Sequence, residues 1–195
     1  MDATDKQRKK QKTSFLSKVN WKWVGTITIL SFLISISMSY LSNEALSSVN
    51  NIAAFFILLL FILLGIVFDI VGVAATSVTE KELHSMAAKK VKGAKQAVWL
   101  SRNAEKVASI CNDVVGDISG IISGATGAVI IANVTQGLSA LPTTVISLTI
   151  TGCIAAMTIG GKATGKAFGI SNSVAIIHTA GRILAVLHLP LEKKR

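Results

Sequence analysis

The sequence predicts an all-α membrane protein with four transmembrane helices plus cytoplasmic amphipathic juxtamembrane helices. Three observations carry that expectation. All twenty Lys and Arg residues fall into three blocks: seven in Lys6–Lys22, seven in Lys81–Lys106 and six in Lys162–Arg195. The two intervals between the blocks hold no basic residue, and each is long enough for two crossings joined by a short turn. The chain of 195 residues is 51% hydrophobic and only 15% charged, and a water-exposed surface does not tolerate such long stretches without a basic side chain. Basic residues are retained on the cytoplasmic side of a bilayer. All three blocks are therefore expected inside, with both termini cytoplasmic, in the cell membrane. On this reading the net charge of +10 serves anionic lipid headgroups and not nucleic acid, because the basic blocks lack regularly spaced aromatic residues for stacking.

The elements follow in order. Residues 1–22 form a basic cytoplasmic arm with too little apolar content to fold. Trp21 and Trp23 flank Lys22, as headgroup-level anchors do, and open a first span over 23–43. That span reads as a retained anchor, since its apolar stretch is too long for a signal peptide and the following SNEALSS is a poor cleavage site. A short turn containing Glu44 leads to a second span from Ile52. It is longer than one crossing needs, with Gly65 and Gly72 as expected bends around Asp69.

Residues 79–110 change character. Leu83, Met86, Ala87, Val91, Ala94 and Val98 gather on one helical side, Thr79 and Glu82 have capping-box spacing, and Gly93 or Asn103 is the expected break. Two placements are open for this segment: on the inner leaflet, or packed on the protein. A third span over about 113–140 and a fourth from Pro142 to about Gly160 follow, joined by NVTQGLSALPTT. The triplet at Asn133 matches a glycosylation sequon, a pattern common by chance. A closing helix over 171–189, with His178 and Arg182 within it, is expected at the interface, before a basic tail over 191–195.

Cys111, Cys153 and the three His residues (His84, His178, His188) lack disulfide or zinc-ligand spacing. Neither a nucleophile–base pair nor a phosphate loop is visible, so an enzyme is not expected. Gly116, Gly120 and Gly124 recur every four residues, as do Gly152, Ala156 and Gly160, then Gly161, Gly165 and Gly169. Such ridges let helix backbones approach closely in lipid. They serve either packing within the bundle or a homodimer.

Asp69, Asp113 and Asp117 lie at or within spans, where a carboxylate costs about 2.5–3.5 kcal/mol at the bilayer centre. Asp113 and Asp117 are one α-turn apart. With Asn112, Ser119, Ser123 and Thr126 these acids offer hard oxygen donors, suited to Mg²⁺, Ca²⁺, Na⁺ or a proton and not to soft metals. A carboxyl group that stays protonated is the structural alternative.

Phe68–Val107 resembles the start of the transmembrane domain of the CorC/CNNM (cyclin-M) magnesium-transporter family. Ala74, Thr76, Val78, Leu83, His84, Met86, Ala87, Ala94 and Lys95 fall in register with its small-residue exit, its Leu-x-x-Leu-Ala element and its basic segment. Asn112-Asp113 stand where the family has Gly-Asn-Asn, and Gly161-Lys-Ala-Thr-Gly-Lys166 resembles its Gly-Glu-x-x-Pro-Lys. The resemblance covers residues 52–190 and makes the first span an addition.

It implies a dimeric domain that transports Mg²⁺ or another divalent cation such as Co²⁺ across the bilayer. The implied ligands are Asp69, Asn112 and Asp113, to which the buried-acid argument adds Asp117. It also implies that regulation by cytosolic nucleotide would be missing or would come from a separate regulatory subunit, since the sequence stops at Arg195. Where the family has Ser and Glu, this chain has Val71 and Gly72; Lys162 replaces a later Glu and Gly165 a Pro. Those departures set up a second expectation, a degenerate, non-transporting membrane scaffold or partner subunit.

Overall fold

The computed structural model describes residues 20–46 and 50–186, and every regular element among them is helical. Most of the basic arm, the tail over 191–195, His188 and the end of the closing helix lie outside the described residues. The elements are α1 (Trp21–Leu46), α2 (Asn51–Ser77), α3 (Glu80–Ala88), α4 (Ala94–Arg102) and α5 (Ala104–Ala108). A π-helical segment (Ser109–Gly116) follows, then α6 (Asp117–Val134), α7 (Ala140–Ser171) and α8 (Ser173–Val186). By length and composition four helices suffice to cross a membrane: Trp21–Ser42, Asn51–Ser77, the continuous run Ala104–Val134, and Ala140–Ser171.

The second span is the centre of the bundle. Asn50 caps α2 by accepting a hydrogen bond from the Ala53 amide at 2.9 Å. Ala54, Leu58 and Ile62 then bury one stripe of α2 against Ile130 of α6, with Ile154 of α7 closing the cluster. On the other side Val114, Ile118 and Ile122 meet Ile27, Ile34 and Met38 of α1, whose remaining surface is largely exposed. Helix α2 runs unbroken through Gly65 and Gly72. Instead of bending the helix, these glycines admit neighbours: Ser119 Cβ would lie 3.2 Å from a Cβ at position 65, and a Cβ at 72 would overlap the Asn112 carboxamide.

The fourth span continues as one helix to Ser171, beyond the expected end near Gly160. Pro142 sits in its first turn, where a missing N–H costs nothing. Gly161, Gly165 and Gly169 then lie along Ile66 and Ile70 of α2, which fill the space Cβ atoms would take. The helix continues because this ridge packs, and it carries Lys162 and Lys166 down the side of the bundle.

The segment over 79–110 breaks at both expected places. Gly93 takes the left-handed conformation at φ 83°, and Asn103 separates α4 from α5. Thr79 precedes α3 in an extended conformation but makes no side-chain capping bond, so the capping box does not form. The apolar sides of α3, α4 and α8 close on each other: Leu83, Ala97, Leu100 and Ile177 form one core with Ala74 and Ala75 from the last turns of α2. These helices are thus packed on the protein.

The second basic block touches both α1, beside Lys22, and α8 at one end of the bundle. Lys106 Nζ lies 5.4 Å from the Trp23 ring, joining the first block's span to the second block. His178 Nε2 lies 3.1 Å from the Lys92 carbonyl oxygen, joining the second block to α8. At the far end Asn133 Nδ2 donates to Asn51 Oδ1 at 3.1 Å, across the start of α2 and the end of α6.

Candidate cation site between the spans

Positions 65, 69 and 72 of α2 are spaced four and three apart, so they share a face. That face meets the π-helical segment and α6. Asn112 sits against Gly72 and Ser119 against Gly65, and Asp69 lies on the helix between them. Asp69 is 4% exposed, Ser119 is fully buried and Thr126, two turns further along α6, is 2% exposed.

The hydrogen bonding of this seam is incomplete. Hydroxyls elsewhere in the spans are satisfied by the carbonyl four residues back, as in Thr143, Thr144, Ser147, Thr149, Thr158 and Thr164. Ser123 does the same, donating to the Ser119 carbonyl at 2.7 Å. Among the described residues Ser119 Oγ, Thr126 Oγ1, Asn112 Oδ1 and Asp69 Oδ2 have no hydrogen-bond partner. In a region without bulk water an unmatched polar group costs several kcal/mol. Asp69, Asn112 and Ser119, gathered along the Gly65–Gly72 stretch of α2, make a place for water or a hard cation, whereas Thr126 lies about 10 Å further along α6.

Two lysines approach from α7. Lys166 Nζ stands 3.9 Å from Asp69 Oδ2, and Lys162 Nζ stands 3.9 Å from Asp117 Oδ1 and 3.5 Å from the Gly116 carbonyl oxygen. Sequence reasoning places these lysines beyond the fourth span and leaves the acids unneutralised. The continuation of α7 supplies the neutralising charges. Their signal was the Gly161–Gly165–Gly169 ridge, which keeps α7 helical and puts Lys162 and Lys166 one turn apart along the same side of it.

The four expected ligand positions divide. Asp69 and Asn112 come to the same seam. Asp113 is exposed, and the Asp117 side chain is 71% exposed and turned to Lys162. The cause is the π-helical winding of Ser109–Gly116, whose wider turn sends Asn112 and Val114 inward and Asp113 outward. Among the described residues no group of three His, Cys, Asp or Glu gathers as a metal cluster. The seam offers one carboxylate and neutral oxygens, which fits a hydrated Mg²⁺ or a monovalent ion better than a fully protein-coordinated divalent ion. No family model, curated protein or solved structure matches the chain.

Proposed function

We propose that this membrane protein binds a small hard cation, Mg²⁺ in the first instance, at the α2–α6 seam and carries it across the bilayer. The buried oxygens of Asp69, Asn112 and Ser119, which lack a hydrogen-bond partner among the described residues, support this reading. Asp69 supplies the charge and Asn112 a neutral oxygen. Asp113, exposed at the same end, attracts cations to the entrance, while Asp117 is held by Lys162. Lys166 is the tethered competitor: its ammonium stands against Asp69 and must swing aside for an ion to enter. Its 54% exposed side chain has room to do so. Gly120 and Gly124 of α6, and Gly152 and Gly160 of α7, have nothing within 4 Å, and a homodimer using one of these open ridges belongs to the proposal.

The second reading, a scaffold or partner subunit, draws on the same two lysines, since a permanent Lys166–Asp69 pair would close the site. Calorimetric titration of the detergent-solubilised chain with Mg²⁺ separates the two. Transport requires binding in the wild type, its loss in Asp69→Asn, and binding about tenfold tighter in Lys166→Met, a gain corresponding to about 1.4 kcal/mol. If both the wild type and Lys166→Met give no heat while folded, transport is excluded and the scaffold reading stands.

A further inference from the structure

Helices α3 and α4 are held together from beneath by Leu83, Ala97 and Leu100. Beside them lie two adjoining clefts of about 410 and 470 Å³. Both are walled by Ala87, Lys95 and Gln96. The first adds Val98, Trp99, His84 and Arg102, and the second adds Lys90 and Lys92. The electrostatics are one-sided. Among the described residues the one acid paired with the lining is Glu80, 3.2 Å from His84 Nε2 and 3.7 Å from Arg102 Nε. Lys90, Lys92 and Lys95 make no ion pair among the described residues. The lining is therefore cationic at its rim and partly apolar along Ala87, Val98 and Trp99.

The clefts also stand beside the end of a span, because Ala97 and Leu100 pack on Ala74 and Ala75 in the last turns of α2. Trp99, 37% exposed on the cleft wall, is the residue type that settles at headgroup level. A free inorganic anion would have no use for the apolar wall; a lipid has use for both.

The geometry points to a discrete binding site for the phosphate group of an anionic phospholipid in these clefts. Lys90, Lys92 and Lys95 hold the phosphate oxygens, and Trp99 lies along the glycerol and acyl stem. This differs from diffuse attraction between a basic surface and a leaflet, because a walled cleft selects a headgroup and retains it. The site is separate from the seam at Asp69 and does not depend on cation transport.

Native mass spectrometry of the full chain in detergent tests the site, with short-chain phosphatidylglycerol, short-chain phosphatidylcholine or inorganic phosphate added. Phosphatidylglycerol should be retained and phosphatidylcholine should not. Replacing Lys90, Lys92 and Lys95 by Gln should weaken phosphatidylglycerol retention by about tenfold or more. The same loss of charge in the amino-terminal arm (Lys6→Gln, Lys9→Gln, Lys10→Gln) should leave it unchanged. Should the cleft triple variant melt early, Lys95→Gln alone, at the lysine that lines both clefts, reads the same loss. Equal weakening in the two triple variants would mean diffuse charge and overturn the site. Displacement of the lipid by an equal concentration of inorganic phosphate would reassign the cleft to a soluble anion, and unchanged retention in the cleft variants would remove it.

Discussion

At position 72 a hydrogen atom decides what the seam can hold. Position 72 is Gly, and the space a Cβ would take is filled by the Asn112 carboxamide. Gly72 and Asn112 are thus one unit. A side chain at 72 and the present position of Asn112 exclude each other. Gly72→Ala is expected to lose about 1–3 kcal/mol as an overpacked contact. Adding Asn112→Ala should recover most of that loss, because it removes the obstruction. Thermal melts of the two single variants and the double variant in detergent give the coupling directly, and additive losses would show that the two residues do not share the space. An acid in an apolar run marks itself, so Asp69 was legible in the sequence. Gly72 was not, because its partner lies forty residues along the chain and only packing brings them together.

Among the elements, the turn before α4 depends most on a glycine. Gly93 has φ 83°, and a Cβ there would stand 2.6 Å from the Arg182 amide nitrogen of α8. Gly137, in the turn between α6 and α7, has φ 84° but nothing within 4 Å. Replacing each by Ala separates conformational strain from collision. Gly137→Ala should cost about 1 kcal/mol, the lower range for a non-glycine residue held left-handed. Gly93→Ala should cost more and should loosen α4 from α8. Hydrogen exchange would then quicken over 94–102 and 173–186 while the spans stay protected; equal effects at the two sites would remove the Arg182 contact as the cause. The breaks at Gly93 and Asn103 were readable from local chemistry, as were the existence and order of the four long apolar helices from the absence of basic residues. The π-helical segment and the extension of α7 were not. Lys162 and Lys166 end the apolar run in sequence, yet the helix continues past them because Ile66 and Ile70 of α2 fill the ridge of glycines beside them.

For the whole molecule, the segregation of charge and the packing agree. The Lys106–Trp23 and His178–Lys92 contacts set the second basic block against Trp23, next to Lys22, and against α8 at one end, while Asn51 and Asn133 meet at the other. In a bilayer this arrangement has a preferred direction. Each Lys or Arg forced to the centre of a span costs about 2.5–3.5 kcal/mol on insertion scales, and the two turns at the opposite end carry none. The basic end is therefore predicted to remain in the cytoplasm. Site-directed labelling checks it after Cys111 and Cys153, both free thiols, are replaced by Ala. A cysteine introduced at Gln136, exposed between α6 and α7, should react with a membrane-impermeant maleimide in intact cells. Cysteines at Lys90 and Thr179, exposed on the turn before α4 and on α8, should react only after lysis. The opposite pattern would invert the protein. Labelling of Gln136→Cys and Lys90→Cys alike in intact cells would mean that the run Ala104–Val134 does not cross, and the seam at Asp69 would then no longer lie between two spanning helices.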